Sequence, residues 1–170
     1  IRRGEVNQTT YKKFITDNPQ HATMLRGAQI APYAEQPPSQ GDVEWLDERS
    51  CLASLKRAAT RADWSKLAKA KRIATQRITG VDDSRRLIAL LVEPSPACYL
   101  ADSTNSIDTD RGVDDLDYLL ALLNSSLWQW RFRITSTNNN VQTADLEGLP
   151  FRLIDTSNDG DVAVFRSLVD

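Results

Sequence analysis

The chain is poor in the residues that most chemistry needs. It has one histidine, His21, and two cysteines, Cys51 and Cys98, far apart in sequence and without paired spacing. A structural zinc site takes four such ligands at short spacings, so zinc is excluded. A disulfide framework is not expected either, and the two thiols read as reduced side chains of a cytoplasmic protein. Nucleophile–histidine triads need a positioned imidazole, whereas His21 sits among polar turn residues. The seven glycines contain no G-x-G pair, which removes the usual dinucleotide and S-adenosylmethionine loops and the P-loop. No Pro-Asp pair and no (D/E)-x-K occurs, so the common metal-dependent nuclease core is missing too. No apolar run approaches the roughly 18 residues of a membrane span, and the amino end has no signal-peptide pattern. The expectation is a segment without bond-making chemistry, cofactor, metal or membrane partner of its own.

What is present suits one folded domain. A chain of 170 residues with 41% hydrophobic content can bury a real core. It begins with Ile1 rather than Met, and so reads as a domain cut from something longer. Net charge is −2, which by itself argues against a polyanion as partner. The distribution says otherwise: residues 1–86 hold 16 Lys/Arg against 10 Asp/Glu, and residues 87–170 hold 5 against 13. Such a chain can present a basic surface while staying acidic overall. The same counts fit an ordinary solvated helix face.

The stretch 114–150 organises the rest. Leu116, Leu119, Leu120, Leu123, Leu127, Trp130 and Ile134 recur at steps of three and four, predicting one apolar face on a helix or on two helices end to end. Asp114 and Asp115 suit its amino end, and a break at Asn124 and Ser125 is open. Next comes a run of hydroxyls and amides, TSTNNN at 135–140, and then a helical turn at 144–147 closed by Gly148 and Pro150. A hydrophobic helix thus delivers a polar loop to a fixed place.

Upstream, Gly4 to Asn7 suits the end of a strand, and 10–14 a short helix. Asp17-Asn-Pro-Gln20 lacks the second proline and the aromatic of an adenine-methylation motif, and reads as a turn. Between 43 and 70 the composition favours helix, with Leu52, Leu55, Ala59 and Ala62 on one face and Asp63 as cap of a second helix from Trp64. Lys56, Arg57, Arg61, Lys66 and Lys69 stud the other side. Residues 72–79 (RIATQRIT) read as a strand, 80–84 as a turn and 86–92 as a second strand, giving an antiparallel hairpin with Arg85 and Arg86 near its tip. A further strand is expected at 97–101, another at 151–154, and a terminal helix at 162–169. The fold expected is α+β: a curved, mostly antiparallel sheet packed by helices.

Five pieces of this chain, LRGAQIAPY (25–33), KRIATQRITGVDDSRRLIALLVEP (71–94), CYLADSTNSI (98–107), LLALLNS (119–125) and STNNNV with LEGLP (136–150), carry a resemblance in their order. Together they resemble TaqI-like specificity domains, the target-recognition domains attached to adenine-N6 DNA methyltransferases of restriction-modification enzymes. The resemblance implies a curved sheet lying against the DNA major groove. It also implies a methyltransferase domain, in cis or in trans, that holds the S-adenosylmethionine. The opening segment departs from the family pattern, keeping only Gly4, Asn7 and Phe14.

Reading DNA needs cations for phosphates and directional donors and acceptors for base edges. Arginine suits guanine, and asparagine or glutamine suits adenine. The candidates are Arg26, Lys71, Arg72, Gln76, Arg77, Arg85, Arg86, Asn105, Arg133, Asn138, Asn139, Asn140 and Gln142, with double-stranded DNA as partner. The competing reading is a protein-interaction module in which the acidic carboxyl half and the exposed aromatics Trp128 and Phe132 dock onto a methyltransferase or another defence subunit.

Overall fold

The computed structural model describes residues 1–38, 41–80, 84–109, 113–152, 154–155 and 157–169. In chain order, β1 (Arg2–Arg3) and a 3-10 turn (Lys12–Phe14) lead to β2 (Ile15–Thr16) and β3 (Ala22–Leu25). A second 3-10 turn (Gly27–Gln29) precedes the small hairpin of β4 (Ile30–Ala31) and β5 (Ala34–Glu35), where Tyr33 takes a positive φ of 66°. Then come β6 (Trp45–Leu46), α1 (Glu48–Ser54), α2 (Ala58–Leu67), β7 (Arg72–Gln76), β8 (Ala89–Val92), β9 (Cys98–Leu100) and β10 (Thr104–Ile107). The helices α3 (Val113–Asn124), α4 (Ser126–Thr135), α5 (Thr143–Glu147) and α6 (Asp159–Val169) close the chain.

The fold is α+β with open sheets, as the sequence predicts. One sheet runs β1-β10-β7-β8 and is antiparallel throughout. The other runs β2-β6-β3-β9 and is antiparallel except for the parallel pair β3–β9. β7 and β8 form the expected hairpin, with Ile73 opposite Leu91 and Ala74 opposite Leu90. Alternation sends Ile73, Ala89 and Leu91 into a core with α3, α4 and α5, and Ala74, Leu90 and Val92 into one with Leu25, Ile30 and Leu100. Both faces are covered, which is why 87–92 reads as an unbroken apolar run. A third core, with Val6, Met24, Leu46, Trp64 and Tyr99, sits between the second sheet and α1–α2.

Some boundaries differ from expectation. α2 begins at Ala58, so Asp63 lies inside it; Ala59 and Ala62 are exposed while Trp64 and Leu67 are buried. The cap is upstream, where Asp47 Oδ1 accepts from the Ser50 amide of α1 at 3.1 Å. Thr104–Ile107, beyond the strand expected at 97–101, is a further strand, since it fills the gap between β1 and β7. The described residues of 151–154 form no strand. The tip of the expected β7–β8 turn, 81–83, lies outside the described residues.

Two close-fitting features join the sheets. A Cβ on Gly4 would stand 2.1 Å from the Ala101 carbonyl oxygen, so only glycine lets β1 continue past this point. The guanidinium of Arg72, with no exposed side-chain surface, donates to both oxygens of Glu5 at 2.7 and 3.1 Å. It also donates to the Cys98 carbonyl at 2.9 Å and to Ser106 Oγ at 3.3 Å, while Glu5 Oε1 accepts from the Leu100 amide at 3.0 Å. Arg72 therefore ties β7 and β10 to β9 from inside. Burial pushes the Cys98 thiol up to about 12 and that of Cys51 up to about 11, which keeps both protonated.

Candidate nucleic-acid interface

The chain breaks helix at Ser125, which takes an extended conformation and caps α4 by accepting the Trp128 amide on its Oγ at 3.2 Å. This single extended residue shifts the helical phase. On α3 Leu116, Leu120 and Leu123 are buried as expected. On α4 Leu127, Trp130 and Ile134 are exposed at 64%, 60% and 59%, whereas Trp128, Gln129 and Phe132 are buried. The continuous apolar stripe is thus corrected beyond Ser125. So is the interface role of Trp128 and Phe132, which belong to the core.

Two amide side chains at this break dock the helices onto the edge of the sheet. Asn124 accepts the Ala89 amide at 3.2 Å and donates to the Ala89 carbonyl at 2.9 Å. Gln129 Oε1 accepts the amides of Arg86 and Leu87 at 2.9 and 3.0 Å. Its Nε2 donates to the Leu87 carbonyl and, at 3.2 Å, to that of Leu123. Residues 86–87, expected as the start of a strand, are therefore paired by a side chain where a strand partner would sit.

Downstream, the polar loop after α4 is held from several sides. Ile78 and Asn140 form an antiparallel bridge; Thr79 donates its amide to the Asn139 carbonyl at 3.0 Å, and Val141 donates to the Arg77 carbonyl at 2.7 Å. The buried Arg86 guanidinium donates to the carbonyls of Ser136, at 3.2 Å, and Asn138, and to Thr79 Oγ1 at 3.3 Å. The Phe132 ring lies 5.2 Å from its centre. At the other end, Asn105 Nδ2 donates to the Val141 carbonyl at 2.9 Å and to Thr75 Oγ1 at 3.4 Å. Five fixed points in a short loop leave its side chains mounted on a rigid frame.

The expected DNA-facing residues accordingly divide. Arg72, Arg86 and Asn105 are internal, and their assignment as DNA contacts is corrected: each satisfies buried backbone or carboxylate partners and has no surface to offer. Lys71 stands 3.5 Å from Asp117. Arg26 is tied to the Asp42 carbonyl at 2.6 Å and lies 3.4 Å from Glu44. Of the remaining residues, Arg77 is joined to the loop by backbone bonds, whereas Gln76 lies on the face of β7 that it shares with Ala74. Gln76, Arg77 and Asn140 are half-buried, and Asn138, Asn139, Gln142, Arg85 and Arg133 are exposed. Gln142 opens α5, its amide donating to Asp145 Oδ2 at 2.9 Å.

Beside the loop, Arg85 and Arg133 line a cavity of about 650 Å³ together with Ser84, Ser126, Gln129, Trp130 and Ile134. Arg85 Nη1 donates to the Asn124 carbonyl, at the end of α3, over 3.1 Å. Arg133 makes no ion pair or hydrogen bond with its side chain among the described residues. The sequence reading places Trp130 and Ile134 in the core and so misses this cavity. One signal was available: between Asp117 and Asp145 the chain has no acidic residue, and its only charges are Arg131 and Arg133.

Among the described residues no helix is long and apolar enough to cross a membrane. Groups of three or more metal-ligating side chains are likewise not found among them. The chain matches no model of a known protein family, and no curated protein matches it at a significant level.

Proposed function

We propose that this chain is a sequence-reading module for double-stranded DNA, serving an adenine-N6 methyltransferase of a restriction-modification system. The observation that carries the reading is the amide loop 138–140, bridged to Arg77–Thr79 and clamped by buried Arg86, beside two exposed arginines. Recognition of base edges needs donors and acceptors whose positions do not relax on binding, and this frame supplies them. Arg77 is the candidate for guanine, and Asn138, Asn139 and Gln142 from the segment bridged to it are the candidates for adenine, with Gln76 on the other face of β7. Arg85 and Arg133 serve phosphates. The resemblance to TaqI-like specificity domains points the same way, and assigns methyl transfer and S-adenosylmethionine to a methyltransferase domain in cis or in trans, in the cytoplasm.

The test is selection from a random duplex library by the chain. A single consensus is expected, and Arg77→Ala should cost about 1–3 kcal/mol on it while changing little on random DNA. A library without consensus, and Arg77→Ala binding like the parent, would overturn the reading.

The exposed stripe of Leu127, Trp130 and Ile134 favours a second reading, a docking surface for a protein partner. A salt titration separates the two. Phosphate-driven binding weakens steeply with salt, whereas apolar docking barely responds.

A further inference from the structure

Duplex reading gives the arginines of the cavity beside the loop their phosphates but leaves the rest of its lining without use. The cavity combines two guanidinium groups, Arg85 and Arg133, with the hydroxyls of Ser84 and Ser126 and the indole of Trp130. No carboxylate is among the described lining residues. Asp82 and Asp83 precede Ser84 in the sequence and lie outside the described residues. At about 650 Å³ the cavity falls within the roughly 300–1,000 Å³ usual for small-ligand sites.

Chemistry narrows the occupant. A neutral apolar ligand would strip water from two guanidiniums without giving them partners. Inorganic phosphate would satisfy the cations and leave the exposed face of Trp130 and the side chain of Ile134 without use. A nucleotide satisfies both halves: its phosphate takes forked hydrogen bonds from arginine, and its base stacks on an indole. Arg85 is already oriented for this by the Asn124 carbonyl, which occupies one donor and leaves the others.

We propose that this cavity binds one unpaired nucleotide, with the phosphate on Arg85 and Arg133 and the base against Trp130. The inference deepens the DNA reading and rests on it for the source of the nucleotide, a base at a strand end or one lifted from the stack. A free mononucleotide has the same chemistry.

Trp130 reports on its own site, because Trp64 and Trp128 are buried and Trp45 is half-buried. The experiment titrates the 170-residue chain with a blunt duplex, the same duplex carrying an unpaired overhang, and deoxyadenosine monophosphate. Tryptophan fluorescence and anisotropy are followed together. The overhang should quench fluorescence and bind about tenfold more tightly than the blunt duplex. Trp130→Leu should abolish both effects, and Arg85→Gln with Arg133→Gln should lower the salt slope for the overhang by about 2, roughly one for each cation removed. Quenching by the mononucleotide alone, lost in the same variants, supports the pocket and makes a free nucleotide a sufficient ligand. All these side chains are exposed, and unchanged thermal melts certify the fold of each variant. Equal affinity for blunt and overhang duplexes, with Trp130→Leu like the parent, overturns the pocket and leaves duplex reading standing. Binding to the overhang and mononucleotide but not to blunt duplex supports the pocket and sinks duplex reading. Binding to none of the three sinks both.

Discussion

Helices α3 and α4 meet at Ser125 and differ in what they cover. α3 turns Leu116, Leu120 and Leu123 into the core against β7 and β8. α4 buries Trp128, Gln129 and Phe132 and turns Leu127, Trp130 and Ile134 outward. The difference lies in the contacts each helix has to make. α3 has only to cover a sheet, and leucine spacing is enough. α4 must also hold a strand edge through Gln129 and support Arg86 through Phe132, and those contacts fix its rotation. A polar anchor has overruled an apolar repeat, leaving an apolar stripe for some other use.

The sharpest way to break this comparison is to truncate the residues that fix the rotation. Phe132→Ala removes a ring that is 1% exposed and should destabilise by about 3–5 kcal/mol. Leu123→Ala on the other helix should cost about 2–5 kcal/mol. Urea melts measure both. A loss below about 1 kcal/mol for Phe132→Ala would mean that α4 is rotated, with the outward stripe taking its place in the core.

Much of the fold was legible because it rests on local pattern. The β7–β8 hairpin, the break at Asn124 and Ser125, and the turn before Gly148 each arise from periodicity or capping chemistry. The strand Thr104–Ile107 was not legible: TNSI is polar, and it becomes a strand only because β1 and β7 flank it. The site was legible in part for a similar reason. Arg85 and Arg86 are adjacent and alike in sequence, yet one is exposed and one is 1% exposed. Whether an arginine serves the solvent or the frame depends on carbonyls from residues some 50 positions away, at Ser136 and Asn138. Charge counting sees neither. Arg72 is the same lesson, since Glu5 is its partner across the fold.

That pair of neighbours gives the next test. Arg86→Met removes the donor from the buried Ser136 carbonyl and from that of Asn138, and should destabilise by roughly 1–3 kcal/mol, with hydrogen exchange rising across 136–141. Arg85→Met should stay within about 0.5 kcal/mol in stability and, on DNA, lower the slope of log affinity against log salt by about 1. The two variants separate structure from binding. Should Arg86→Met melt like the parent, the clamp on the loop is not what orders it.

The smallest expected effect concerns the outward stripe itself. Leu127 and Ile134 are more than half exposed, so truncating them removes little surface that folding had hidden from water. Leu127→Ala and Ile134→Ala should therefore each change stability by no more than about 0.5 kcal/mol. Helix propensity pulls in the same direction, since alanine is the better helix former at both positions and offsets part of any lost contact. The result discriminates because the alternative has a signature. If the stripe is covered in solution by a second copy of the chain, both variants lose stability in a manner that depends on protein concentration. Melts at two concentrations, with mass measured by sedimentation, decide it. A concentration-independent loss above about 1 kcal/mol would instead place these side chains inside the chain's own core, and the phase shift at Ser125 would have to be abandoned.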